Sequence, residues 1–254
     1  MPAALRRVTP TRYVAPLREG GSLPGLVEAD DDGFYVVKFR GAGQGAAALV
    51  AEVLAGELAR ALGLPVPELV LADLDPELPR AEPDVEIQEL LVASAGTNLG
   101  VDFLPGALPF TPAAARDLDP AFAADVVWLD ALVMNVDRTP RNPNLLVWHG
   151  RTWLIDHGAA FYLQHGDAPL AQAARGPFRH VADHVLLGAA GPIAEADARL
   201  AAAAARAIDP AAALVPETWL GNDAGARRAD LIAFLRERLQ APRAFVEEAE
   251  HARA

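Results

Sequence analysis

Residues 122–136 constrain this chain more than any other stretch, because the segment is apolar on nearly every side. Val126, Val127, Leu129, Leu132 and Val133 fall at spacings that surround a helix rather than line one stripe of it, so a helix here must be wrapped by other elements. The remainder of the chain offers the wrapping. Residues 193–207, 223–239 and 242–252 are largely Ala-rich and read as further helices. With 254 residues there is room for one large domain or for two small lobes.

The first third has a different character. Residues 24–29 and 33–39 are short β-prone runs separated by the acidic turn Asp30-Asp31-Asp32-Gly33. The link Gly41-Ala42-Gly43-Gln44-Gly45 leads into a predicted helix over 46–62, whose Leu49, Val53, Leu54, Leu58 and Leu62 keep helical spacing until Gly63 and Pro65 stop it. Two more strands are predicted, at 68–72 and 85–92, around a Pro-rich acidic loop at 73–84. Residues 94–100 read as a hinge, which puts the boundaries at 1–96 for a β-rich part with one main helix and 97–254 for a helical part.

Composition excludes some functions. Hydrophobic residues make up 52% and charged residues 22%, the balance of an ordinary globular protein. Without Cys there are no disulfides and no thiol chemistry, and a cytoplasmic location fits that usage. Arg6 and Arg7 have no apolar run behind them, which argues against a secretory signal. The apolar runs at 46–51 and 200–205 are far too short for a membrane span. A formal charge of −12 argues against nucleic acid as a partner. A nucleotide is still admissible, since one Lys and a magnesium ion supply positive charge locally.

Chemistry concentrates where the apolar helix ends. Val136-Asp137-Arg138-Thr139-Pro140-Arg141-Asn142-Pro143-Asn144-Leu145-Leu146 delivers an Asp into a polar loop and an Asn to the entry of a short strand. The strand doubles back at His149-Gly150, and the return ends in Ile155-Asp156-His157-Gly158, so Asn144 and Asp156 meet at one open end. Phosphoryl transfer needs such a set: one carboxylate for the acceptor hydroxyl, and an amide with a second carboxylate for magnesium. The plain alternative is an Asx-rich turn before a surface hairpin. Upstream, Lys38 interrupts the apolar strand Tyr35-Val36-Val37-Lys38-Phe39. Burying an ammonium there is costly, so it wants an anion, either a phosphate or a carboxylate on a neighbouring helix, and the following helix offers Glu52 and Glu57.

Asp-Arg followed by Asn-Leu-Leu and then Ile-Asp-His-Gly resembles the catalytic loop and metal-binding Asp of HipA-like and phosphoinositide-type kinases. The resemblance implies an α+β, two-lobed protein-kinase-like fold, with ATP and magnesium between a β-rich lobe and a helical lobe that carries the catalytic hairpin. It makes Asp137 the catalytic Asp, Asp156 a magnesium ligand, and Asn142 or Asn144 the second ligand, with Asn144 preferred as the residue that directly enters the strand. Lys38 becomes the lysine on the nucleotide phosphates, with Glu52 as its helix partner. Gly20, Gly21 and Ser22 resemble the phosphate-covering loop, and Glu89 to Leu91 would meet the adenine at the end of the last strand. The implied reaction moves the γ-phosphoryl group to a hydroxyl, first of all protein Ser or Thr, and secondly of a small molecule or lipid. A pseudokinase that binds nucleotide within a toxin–antitoxin-like pair is the alternative from another class, although an antitoxin partner is doubtful.

The strand before Gly41-Ala42-Gly43-Gln44-Gly45 fits a dinucleotide fingerprint, but Lys38 and Arg40 break the apolar strand that such a site requires. His180 and His184 stand four apart without the third ligand of a zinc site, and read as ordinary histidines.

Overall fold

In the computed structural model, residues 4–17, 23–43, 45–78, 83–162 and 173–254 are described. They divide into two compact units, one from the described residues of Pro2–Leu49 and Pro67–Gly106, the other from Val50–Val66 and Ala107–Ala254.

The first unit is built on a six-stranded sheet. Its strands are β1 (Arg6–Val8), β2 (Pro10–Pro16), β3 (Gly25–Ala29), β4 (Phe34–Lys38), β5 (Leu69–Leu74) and β6 (Gly96–Asp102), in spatial order β1-β5-β6-β4-β3-β2. Only β1 with β5 is parallel; β4 pairs antiparallel with both β3 and β6. A dinucleotide sheet needs parallel neighbours at this strand, so the fingerprint at Gly41 is excluded. The leading amides of that glycine link are engaged as well. Arg40 N–H donates to Asn98 Oδ1 at 2.9 Å and Gly41 N–H to Ser94 Oγ at 3.1 Å. Period-two alternation sends Tyr35, Val37 and Phe39 into the core with Val27, Val70 and Ala72, and Lys38 to the opposite face.

Between β4 and β5 runs α1 (Gly45–Ala61). Residues 85–92 were expected to form a strand and instead form α2 (Val85–Ala93). Asp84 caps it, accepting from Glu86 N–H at 3.0 Å, and Ile87 with Leu91 put an i,i+4 apolar pair onto the sheet core. Cap and packing outweigh the β-branched residues, whose strand preference depends on a sheet being there to join. The expected hinge at 94–100 is largely β6, with Gly100 where a Cβ would come within 2.7 Å of Val70.

In the second unit α1, from Val50 on, is almost wholly buried. Gly63, at φ +83°, closes it with N–H bonds from Gly63 to Arg60 O and from Leu64 to Ala59 O, a left-handed stop that suits glycine. The apolar helix is α3 (Pro120–Val133), capped by Asp119 and buried on all sides. A three-stranded antiparallel sheet of β7 (Leu108–Pro109), β8 (Leu145–Trp148) and β9 (Arg151–Leu154) follows, its tight turn at His149-Gly150. The tail forms α4 (Ile193–Ala213), α5 (Glu217–Leu220), α6 (Ala224–Arg238) and α7 (Ala244–Arg253), and α3 packs against α4 and α7. The first of these was expected to end at 207, yet it runs through Pro210 because Ile208, Ala211 and Ala212 still bury its inner face.

Arg238 bolts this helical unit together. Its buried guanidinium donates to Leu132 O at 2.7 Å and Ala131 O at 2.6 Å, supplying a cation to carbonyls at the C-terminus of α3. It lies over the rings of Phe234 and Phe245. A β-rich unit and a helical unit holding the hairpin make up the mixed α+β architecture that the resemblance implies.

Candidate active site

The end of α3 sets the site. Met134 takes φ +53°, and Asn135 N–H returns to Asp130 O at 2.9 Å, so the helix stops at Val133, ahead of the expected 136. The chain is thereby released into the polar loop. Thr139 and Asn142 exchange backbone hydrogen bonds at 3.1 Å and close the loop around Pro140-Arg141. Inside it stands half-buried Asp137. Its Oδ2 accepts from Asn142 Nδ2 at 2.7 Å and from Asn144 Nδ2 at 3.3 Å. Its Oδ1 has no hydrogen bond among the described residues.

The hairpin carries the second half. Leu145 faces Leu154, and Ile155 N–H donates to Asn144 O at 3.1 Å, which brings Asn144 and Asp156 to the same open end. Both have left-handed φ, +49° and +54°. That conformation is costly for most side chains and least so for Asn and Asp. Asp156 contributes a carboxylate and Asn144 an amide, hard oxygen donors few enough to leave room for phosphates and water, and so suited to magnesium. Glu52 reaches this end from α1: its buried carboxylate accepts His157 N–H at 2.9 Å.

Behind the loop lies a cluster that the sequence does not reveal as one, centred on Asp130. Asp130, buried on α3, accepts Arg138 Nε at 2.5 Å, His184 Nε2 at 3.0 Å and Asn135 Nδ2 at 3.0 Å. Burial alone would push the Asp130 carboxyl up, but the Arg138 guanidinium and the His184 N–H outweigh it and hold the carboxyl well below the usual range. The signal was present: an Asp inside an apolar helix must find partners. What the sequence did not show was which partners.

The other expected residues lie as follows. Lys38 is half-buried at the end of β4, opposite Leu99 in β6. Gly20, Gly21 and Ser22 lie outside the described residues. The adenine position of Glu89 and Leu91 assumed a strand end, whereas Glu89 is exposed on α2 and Leu91 is buried in the core of the sheet unit. His180 is exposed against the Tyr162 and Phe178 rings. His184 lies beyond the short 3-10 turn Arg179–Asp183, so the two share no α-helical face.

Residues 12–245 match the protein family described as HipA-like kinase. Among solved structures, the crystal structure of the Helicobacter pylori proinflammatory kinase CtkA is similar, with a TM-score of 0.59 at 12% identity. That likeness covers 98% of this chain and 97% of that one. No curated protein matches the chain.

Proposed function

Because the chain belongs to the HipA-like kinase family, we propose that it transfers the γ-phosphoryl group of ATP to a Ser or Thr hydroxyl of a protein, with Asp137 as the catalytic carboxylate. One observation carries this reading: two side-chain amides hold Oδ2 of Asp137, at 2.7 and 3.3 Å, and leave Oδ1 to accept the proton of an acceptor hydroxyl. The acceptor oxygen bonds to the γ-phosphorus as the bond from that phosphorus to the β,γ-bridging oxygen breaks. Its proton passes late to Asp137, and ADP leaves. Asn144 and Asp156 would hold magnesium, which when bound balances the charge of the phosphate oxygens. Lys38 supplies a second cation for the phosphates. The family resemblance supports a protein acceptor, since HipA-like relatives phosphorylate protein Ser or Thr.

The test is incubation with labelled ATP, magnesium and cell extract, with Asp137→Asn in parallel. Label is expected on protein Ser or Thr. The variant should lose about 10²–10⁴-fold in transfer rate, with ATP affinity nearly intact, because the lost interaction acts mainly in the transition state. If the wild type labels nothing and both proteins bind ATP alike, the chain is a nucleotide-binding module instead.

A further inference from the structure

Stability does not account for the burial of Arg138. Its ion pair with Asp130 has both side chains at 0% exposure. Such a pair forfeits the hydration of two charges, and well-packed apolar side chains often serve a core as well. Nη2 adds to the cost, being buried with no hydrogen-bond partner among the described residues. What the guanidinium gains is reach. Nη1 donates to the carbonyl of Asn144 and, at 3.4 Å, to that of Ile155. Those carbonyls stand on opposite sides of the hairpin mouth, one on Asn144 itself and the other next to Asp156. Arg138 also follows Asp137 directly in the chain, so its side chain links the Asn144 carbonyl and the carbonyl preceding Asp156 to the residue next to Asp137.

The guanidinium is itself aimed from behind. Asp130 Oδ2 takes its Nε, while Asp130 Oδ1 takes Asn135 Nδ2. Asn135 Oδ1 in turn accepts Asp137 N–H at 3.2 Å. His184 Nδ1 accepts Leu186 N–H at 3.1 Å, which places the ring proton on Nε2, facing Asp130. Val185 N–H closes the circuit on Arg138 O at 3.0 Å. We infer that Asp130, Arg138 and His184 are positioning residues for phosphoryl transfer, fixing the Asn144 and Asp156 ends of the hairpin relative to Asp137. The inference rests on the kinase reading for the reaction that it serves.

Arg138→Lys tests it, because a lysine keeps a charge for Asp130 but cannot span that carboxylate and both carbonyls at once. Phosphoryl transfer is measured where circular dichroism shows the variant folded. A fall in kcat of about 10²-fold is expected, with a magnesium requirement raised about tenfold and a smaller change in KM for ATP. A lower Tm with kcat and magnesium requirement unchanged would overturn the inference. If Arg138→Lys does not fold, His184→Gln and His184→Leu replace it. The glutamine, which retains a donor for Asp130, should keep most of the rate that the leucine loses, and equal rates in the two overturn the inference. If the wild type transfers no phosphoryl group, calorimetry of ATP with magnesium separates the two readings. Binding weakened by Arg138→Lys supports positioning while the kinase reading falls; unchanged binding, or no binding by the wild type, overturns positioning.

Discussion

Asn142 and Asn144 donate to the same oxygen of Asp137, yet their surroundings suit them to different work. Asn142 is exposed on the loop, whereas Asn144 is 8% exposed, enters β8 and accepts Ile155 N–H beside Asp156. Asn144→Ala should therefore raise the magnesium concentration for half-maximal transfer by at least about tenfold. Asn142→Ala should leave that requirement alone and lower kcat, by loosening Asp137. Magnesium titrations of the two variants decide it, and a raised requirement in Asn142→Ala alone would reverse the assignment. This part of the site was legible because its residues lie within twenty positions around one turn, where spacing fixes geometry. Asp130 with His184, 54 positions apart, and Glu52 with His157, 105 apart, were not. A buried acid announces that it needs a partner, but long-range partners are chosen by the fold.

At the scale of elements, periodicity was readable where burial is one-sided or complete, as in β4 and α3. It failed at residues 85–92, where Val85, Ile87, Leu91 and Val92 satisfy strand and helix alike and the cap at Asp84 decides. Helix ends carry stability of the same local kind. Pro192 precedes α4 without a side-chain cap, and Glu250 of α7 supplies one, its Oε1 accepting Ala194 N–H at 2.8 Å. Burial pushes the Glu250 carboxyl up, but the Ala194 N–H and the Arg253 guanidinium prevail and lower it. A carboxyl lowered by folding adds stability above its unfolded value, about pH 4.3, and loses it as pH falls through the folded value. Glu250→Gln should cost about 0.3–1 kcal/mol at pH 7, or about 1–4 °C in Tm for a chain of this size. Melting curves at pH 7 and near pH 3 check this; a gap that persists undiminished in acid would show that the carboxylate is not the cause.

For the whole molecule, a charge of −12 means that the proposed binding of a polyanion such as ATP asks for cation supplied locally, which the proposal assigns to Lys38 and to magnesium on Asp156 and Asn144. This dependence is measurable without knowing the acceptor. A ligand that binds only the native state stabilises by mass action, about 2.7 kcal/mol at a hundred times its Kd. For a chain of this size that raises Tm by about 5–10 °C. Two compact units can melt in separate steps, and the step that contains Asp137, Asn144 and Asp156 is the one expected to move. Omitting magnesium should remove most of the shift. Asp156→Asn should remove a comparable share with magnesium present, because it replaces a carboxylate ligand by a neutral amide. Nicotinamide dinucleotides should produce no shift, since β4 lacks the parallel neighbours and the free glycine-link amides such a site requires. If ATP raises Tm equally with and without magnesium, Asp156 is not a metal ligand, and the charge argument must rest on Lys38 alone.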